Sequence, residues 1–429
     1  MSGAGCGSLA ARVPRCLLDP TLTTLPQADA CGLVAVRLSW ADGRIRSLEP
    51  LAAEPCARNL PLALTPLIEP HAHLDKAFTA TAFPNREGTM AGAMAANRRE
   101  FEQRTAEQVL ERGERALERA WRNGVRAIRS HVDGVGAAAG PSWESLRQLQ
   151  QRWRGRIELQ LVLLASISHW STPEGEAQAR QLAAEGGWMG GVLGPPYRFE
   201  AHAGPMLVRC LRLAEQVGAG LDLHVDESAE QPGRGVALIT RTLIEQRLDV
   251  PLTCSHASSL GLLGARKLEP LAERMARVGL SVVALPSTNL WLLGRRPEGT
   301  PKLRPLAPVP VLQQAGLTVA VGGDNVQDPW FPGGDFDPLA TLGLAAVAFH
   351  LAPWLRQGLA PFTTAAARLM GLTWDGVLRE GGPADLLVLG VSGWGEMLCR
   401  TPQRRVLRQG LWLPPPCWES PSPLFAGCR

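Results

Sequence analysis

The chain reads as α/β, a (β/α)8 TIM barrel carrying a small β-sandwich domain built from both termini, and three observations lead there. First, between residues 65 and 372 eight short apolar runs alternate with longer amphipathic segments. Second, five of the eight histidines fall at the C-terminal ends of those runs. Third, the flanking stretches 1–64 and 373–429 carry further short β-like runs but no helical repeat. The runs read as barrel strands are Pro66–Asp75, Val125–Asp133, Ile157–Ser166, Met189–Pro196, Gly220–Glu227, Leu252–Ser258, Ser281–Ser287 and Leu317–Asn325. Amphipathic sequence such as Leu238–Leu248 follows most of them, and Thr89–Asn123 has the charge and period of a helix pair covering the first crossover.

The flanks complete the division into 1–64, 65–372 and 373–429. Gly32–Leu38 alternates as a strand does, and Ala384–Leu389, Arg405–Arg408 and Leu411-Trp412 follow suit, with Gln409-Gly410 as the turn between the last two. Residues 1–18 and 414–429, rich in Gly, Ala, Ser, Pro and Cys, are expected to be poorly ordered.

Composition excludes several classes. Apolar residues make up 45% and charged residues 20% of the 429, ordinary for a globular protein, and the formal charge is only +4. No basic stripe interleaved with aromatics is present, so nucleic acid is not an expected partner. No run approaches the ~18 consecutive apolar residues of a membrane span. Nine scattered cysteines without a CxxC pair fit reduced thiols rather than a disulfide framework. A cytoplasmic enzyme with a small-molecule partner is the expectation, with a homo-oligomer left open.

The chemistry concentrates at strand ends. In Glu69-Pro70-His71-Ala72-His73-Leu74-Asp75-Lys76 the two imidazoles sit two residues apart and therefore project from one face of a strand. His131, Asp133, His224, Asp226, Glu227, His256 and Asp324 end later strands, and in a barrel of this class all such ends converge on one face. His71, His73, His224 and Asp324 together offer three nitrogens and a carboxylate to one divalent ion, Fe2+ or Zn2+. Such an ion lowers the pKa of water towards neutrality and makes hydroxide available. Glu227 is the expected proton carrier and His256 the expected hydroxide-orienting or charge-stabilising group. The fourth strand offers no Lys, Glu, Asp, His or Cys to bridge a second ion, so one metal is expected. His169, His202 and His350 lie away from strand ends and read as structural, and Cys254 as core.

These motifs, with Arg129-Ser130-His131-Val132-Asp133, His224-Val225-Asp226-Glu227, Ser255-His256 and Asp324-Asn325-Val326-Gln327-Asp328-Pro329-Trp330, resemble the amidohydrolase superfamily and within it the cytosine deaminase-like group. The resemblance runs through nearly the whole chain. It implies metal ligation by His71, His73, His224 and Asp324, catalysis by Glu227, His256 and Asp324, and a pocket lined by Trp330. The substrate motif departs from the group. Bacterial cytosine deaminases read the pyrimidine amide edge with a glutamine near the end of the third strand, where Ser166 stands here. A hydroxyl cannot present the paired donor and acceptor of a carboxamide. Asn325 replaces the group's usual neighbour of the metal aspartate. Lys76 is similar to relatives that hydrolyse N-alkylamino triazines such as N-isopropylammelide.

Lys76, Ser166, Asn325 and Trp330 are thus the substrate-binding candidates. The expectation is hydrolytic deamination of a cyclic amidine or heterocyclic amine, cytosine-like. The alternatives are release of an alkylamine from an N-substituted amino-triazine and, in another class, a non-catalytic barrel used as a binding module.

Overall fold

The computed structural model describes residues 5–22, 27–51, 58–194, 200–296 and 298–414. Two sheets organise them. The larger has eight parallel strands in simple sequence order: β5 (Leu67–Ala72), β6 (Val125–Asp133), β7 (Glu158–Leu164), β8 (Trp188–Leu193), β9 (Leu221–Val225), β10 (Leu252–His256), β11 (Ser281–Ala284) and β12 (Thr318–Val321). The seam between β12 and β5 is closed just beyond β12, where Ala72 bridges Asp324 and the Asp324 N–H donates to the His71 carbonyl at 3.0 Å. All eight expected barrel strands are present. Pro195 and Pro196, the expected end of the fourth, lie outside the described residues.

Several strands stop short of the expected boundary for a common reason. Asp226, His256, Ala257 and Asp324 have φ of 54°, 68°, 46° and 66°. A left-handed residue breaks the extended ladder, and in a non-glycine residue costs about 1–3 kcal/mol. That cost falls where the chain leaves the sheet, beside the expected site residues at His256 and Asp324 and, at Asp226, where the carboxylate accepts from the N–H groups of Gly235 and Val236.

Helices fill the crossovers. The first is the expected pair, α1 (Met90–Gln103) and α2 (Ala106–Arg122), entered through Thr89 and Thr105, whose hydroxyls accept from the N–H groups of Gly92 and Gln108. There follow α3 (Ala139–Arg152), α4 (Pro173–Ala184), α5 (Glu200–Val217), α6 (Arg234–Gln246), α7 (Ala265–Arg277), the short α8 (Pro286–Leu292), α9 (Val309–Gln314), α10 (Pro338–Ala348), α11 (Arg356–Leu359) and α12 (Thr364–Leu369). The C-terminal end of α12 seals the end of the barrel away from the strand-end histidines: the carbonyls of Leu369 and Met370 accept from Arg129 and Gln160. No helix among the described residues is long and apolar enough to cross a membrane.

The second sheet is mixed and draws on both termini: β1 (Gly7–Pro14), β2 (Leu33–Ala41), β3 (Arg44–Pro50) and β4 (Leu62–Leu64) from one, β13 (Leu386–Leu389), β14 (Arg404–Arg408) and β15 (Leu411–Trp412) from the other. A bridge from Arg44 to Pro383 folds its β3 edge back towards β13, and Ala11, Val36, Ile45, Leu386 and Leu407 share one core. Gln409 and Gly410, with φ of 49° and 76°, make the tight turn read between the last two strands.

One expectation fails here. Residues 7–14 are a regular strand between β2 and β4, with Ala11 and Val13 fully buried. The small side chains that suggested disorder are those that fit against two neighbouring strands.

Candidate active site

At the mouth of the barrel, His71 and His73 from the end of β5, His224 from β9 and Asp324 beyond β12 face one another. His71 Nε2 and His73 Nε2 lie 3.6 and 3.3 Å from Asp324 Oδ1, and His224 Nε2 lies 3.5 Å from His73 Nε2. All four side chains are buried. Ligand atoms of His71, His73 and His224 fall within 4.8 Å of one another, as do those of His71, His256 and Asp324.

The protonation of His71 follows from its partners. The Ser255 hydroxyl donates to Asp222 Oδ1 at 2.6 Å, so Ser255 Oγ accepts from His71 Nδ1 at 2.9 Å. The proton is therefore on Nδ1, and Nε2 presents a bare lone pair. His71 Nε2 and both Asp324 oxygens are buried without a hydrogen-bond partner. Burial and the neighbouring imidazoles push the pKa of His71 and His224 well below the ordinary value, which favours the unprotonated, ligating form. Burial alone would raise Asp324, but the nearby imidazoles of His73 and His256 hold it below the ordinary carboxylate value. Buried, converging ligand atoms of this kind are what a divalent cation satisfies.

Immediately below lies a second polar group with opposite properties. Arg129 donates to Asp222 at 2.9 Å, to Thr253 at 3.2 Å and to Gln160 at 3.1 Å. His131 stacks on His71 with ring centroids 3.9 Å apart, its Nε2 3.4 Å from Asp222. His71, His131 and Asp222 also approach closely enough to hold an ion. Asp222, however, already serves Arg129 and Ser255. Although burial opposes it, His131, Arg129 and Ser255 draw Asp222 down to about 2.

Around the His/Asp cluster, Glu227 is partly exposed, and its Oε1 lies 3.5 Å from His256 Nδ1. Burial and then the Asp324 charge push its pKa well above the usual carboxylate range. Two neighbours on α8 reach in from behind. Asn289 Nδ2 lies 2.9 Å from His256 Nδ1, and the Thr288 hydroxyl donates to Asn325 Oδ1 at 3.3 Å. Asn325 Nδ2 in turn donates to Asp328 Oδ2 at 2.7 Å, while Asp328 Oδ1 accepts from the backbone of Trp330 and Phe331. Asn325 is thereby tied into the loop that presents Trp330. Burial lifts Asp328 to about 6 in spite of the Asn325 bond.

Lys76 is buried, its Nζ 2.7 Å from Asp133 Oδ1. Asp133 also meets Arg104, which binds Asp75 and Glu100, so the ends of β5 and β6 are locked to the junction between α1 and α2. A cleft of about 350 Å³ opens beside them, lined in part by Met94, Asn97, Phe101, Asp133, Ser166 and Trp330. Ser166 is exposed on its rim, with its hydroxyl held by Ser168 Oγ at 2.9 Å and the His169 N–H. His169 bonds Gln178, His350 is exposed past the end of α10, and Cys254 is in the core. The side chain of His202 lies outside the described residues.

Sequence reasoning assigned no role to Glu69, Arg129, Asp222, Ser255, Asn289 or Asp328. For Arg129 and Asp222 the signal was available: each precedes by two a histidine already expected to face inward. Glu69 accepts from the His71 and Gly323 N–H groups at the seam. A Cβ on Gly322 would stand 2.7 Å from its Oε1, which explains the paired glycines before Asp324. Asn289 left no signal, because an amide on a short helix carries no metal or acid–base signature.

The Amidohydrolase family model matches residues 86–408. The chain belongs to that family, as its strand-end motifs indicated. It is 29% identical over 386 residues to the pterin deaminase of Rhizobium rhizogenes, covering 88% of each chain. To the N-isopropylammelide isopropyl amidohydrolase of a Pseudomonas species it is 23% identical over 329 residues, covering 75% of this chain and 78% of the other. The crystal structure of 5-methylcytosine deaminase from Klebsiella pneumoniae shares the fold, with a TM-score of 0.80 and 24% identity over 95% of this chain and 97% of that one.

Proposed function

We propose that this protein is a hydrolytic deaminase of an aminated nitrogen heterocycle, acting on a ring carbon that bears an amino group in an amidine or guanidine unit. The observation that carries this reading is the convergence of His71, His73, His224 and Asp324, with His71 Nε2 and both Asp324 oxygens buried and unpartnered and with Glu227 and His256 beside them. Those four residues would hold one divalent ion, iron or zinc, which supplies a nucleophilic hydroxide from water at neutral pH. The chain's own groups do the rest. Glu227 takes one proton of the attacking water and delivers it to the ring nitrogen as the oxygen adds to the carbon. It then passes the second proton, from the added hydroxyl, to the amino group; the C–NH2 bond breaks as the carbonyl forms, and ammonia leaves. His256 donates a hydrogen bond to the oxygen that adds.

A fused bicyclic substrate of the pterin type is preferred over a single pyrimidine ring. Ser166 leaves the third-strand side of the cleft without a carboxamide, and the 29%-identical relative is a pterin deaminase. Zinc- or iron-loaded protein is expected to release ammonia from 2-amino-4-oxopteridine faster than from cytosine, and to release no isopropylamine from N-isopropylammelide. In Glu227→Gln, kcat is expected to fall about 100-fold or more with the melting temperature unchanged. Amine release from the triazine alone, or an unimpaired Glu227→Gln, would overturn the reading.

A further inference from the structure

We propose that Asn289, on α8, is a positioning residue that fixes which nitrogen of His256 carries the proton. The inference rests on the deaminase reading for its consequence, but its structural part stands by itself. Asn289 is 1% exposed and His256 is 1% exposed, so water does not compete for their contact. The atom 2.9 Å from His256 Nδ1 is the amide nitrogen Nδ2. An amide nitrogen donates and does not accept, so Nδ1 must offer its lone pair and the proton of the neutral ring must sit on Nε2. That Nε2 is buried and has no hydrogen-bond partner among the described residues. It is the free end of the ring, and ligand atoms of His256, His71 and Asp324 lie within 4.8 Å of one another. A donor is thereby presented where oxygen chemistry would occur.

The alternative tautomer has a sponsor too. Glu227 Oε1 lies 3.5 Å from the same Nδ1, and an ionised carboxylate there would draw the proton to Nδ1 and leave Nε2 an acceptor. The closer amide decides the contest in favour of Nε2–H. The His256 backbone, at φ 68°, sets the ring's origin but not its rotation or its proton. Pro286 opens α8, and Thr288 next to Asn289 is anchored on Asn325, so the helix is held on the same group of residues it orders.

The test combines a spectrum with a double-mutant cycle. Protein labelled with 15N-histidine, read by long-range proton–nitrogen correlation in zinc-loaded and metal-free forms, is expected to show His256 protonated on Nε2, the signal being assigned by its loss in His256→Gln. Asn289→Leu keeps the volume and removes the donor. It is expected to lower kcat about 10- to 100-fold, the range for partners that orient groups around metal sites, with KM within about twofold. Because Asn289 acts through His256, adding Asn289→Leu to His256→Gln is expected to cost nothing further in kcat. Protonation at Nδ1 in the wild type would overturn the proposal. So would full additivity of the two substitutions, or a kcat unchanged in a folded Asn289→Leu. If no heterocycle is deaminated, the proposed function fails while the spectrum still decides the tautomer.

Discussion

Two polar layers lie one above the other inside this barrel, and they are built on opposite terms. In the lower, Arg129, Asp222, Gln160 and Thr253 saturate one another, and the deeper carbonyls of Leu369 and Met370 take what remains. In the upper, His71 Nε2, His256 Nε2 and both oxygens of Asp324 are dry and bare. A buried polar atom without a partner carries a cost of about 1–3 kcal/mol. One layer down the Arg129–Asp222 group is paired, with the His131 ring bare beside it, whereas the bare atoms of the upper layer converge where a bound ligand would satisfy them. Burial and charge thus mean different things a few ångströms apart: satisfied groups hold the barrel together, and unsatisfied ones are available to react.

The sharpest way to break this contrast is to remove a bare ligand. His73→Ala is expected to abolish retained metal, measured per chain by elemental analysis, and to reduce turnover by about 10³-fold or more, since a metal ion contributes several kcal/mol to such transition states. Retention of stoichiometric metal would show that the upper layer is not the metal site.

Next comes the saturated layer. Arg129→Met leaves Asp222 buried without its guanidinium, and urea unfolding is expected to show a loss of about 3–5 kcal/mol. Unchanged stability would mean that the two layers do not differ as described.

The smallest effect concerns the buried charges outside both layers. Burial would raise Asp133, but Lys76 and Arg104 hold it well below its ordinary value of 3.8. A depressed carboxylate contributes stability that is present above the unfolded-state pKa and is lost as pH falls below it. Unfolding of the wild type should therefore become easier as pH drops below about 4. Asp133→Asn should be less stable at neutral pH and lose less on acidification. Parallel pH profiles for the two proteins would remove Asp133 from the account.

Much of this was legible in the sequence because the barrel repeats. Eight apolar runs separated by amphipathic segments admit few folds, and His71, His73, His224 and Asp324 stand at strand ends, where the fold brings distant residues together. What stayed hidden shares a physical character. Asn289, Ser255 and Asp328 act by holding other side chains, and amides, hydroxyls and turn acids of that kind occur everywhere in proteins. Strand β1 was hidden for another reason: Gly7, Ser8, Ala10 and Ala11 look like a loose terminus until a neighbouring strand lies on each side. Lys76 had the right place but a different partner, since no spacing rule reveals that Asp133 would reach it.

The seam where β5 meets the chain beyond β12 has a consequence for how the molecule assembles. The Asp324 N–H is bonded to the His71 carbonyl, and its carboxylate faces the ring of that same histidine. The first and last strands of the barrel therefore meet at two of the expected ligands. An ion bound there would act as a clasp on the ring of strands, drawing together the two barrel segments that stand furthest apart along the chain. Loading the protein with metal should slow hydrogen exchange at the Asp324 amide more than at amides on the opposite wall of the barrel, so that completing the catalytic centre and completing the fold become one event.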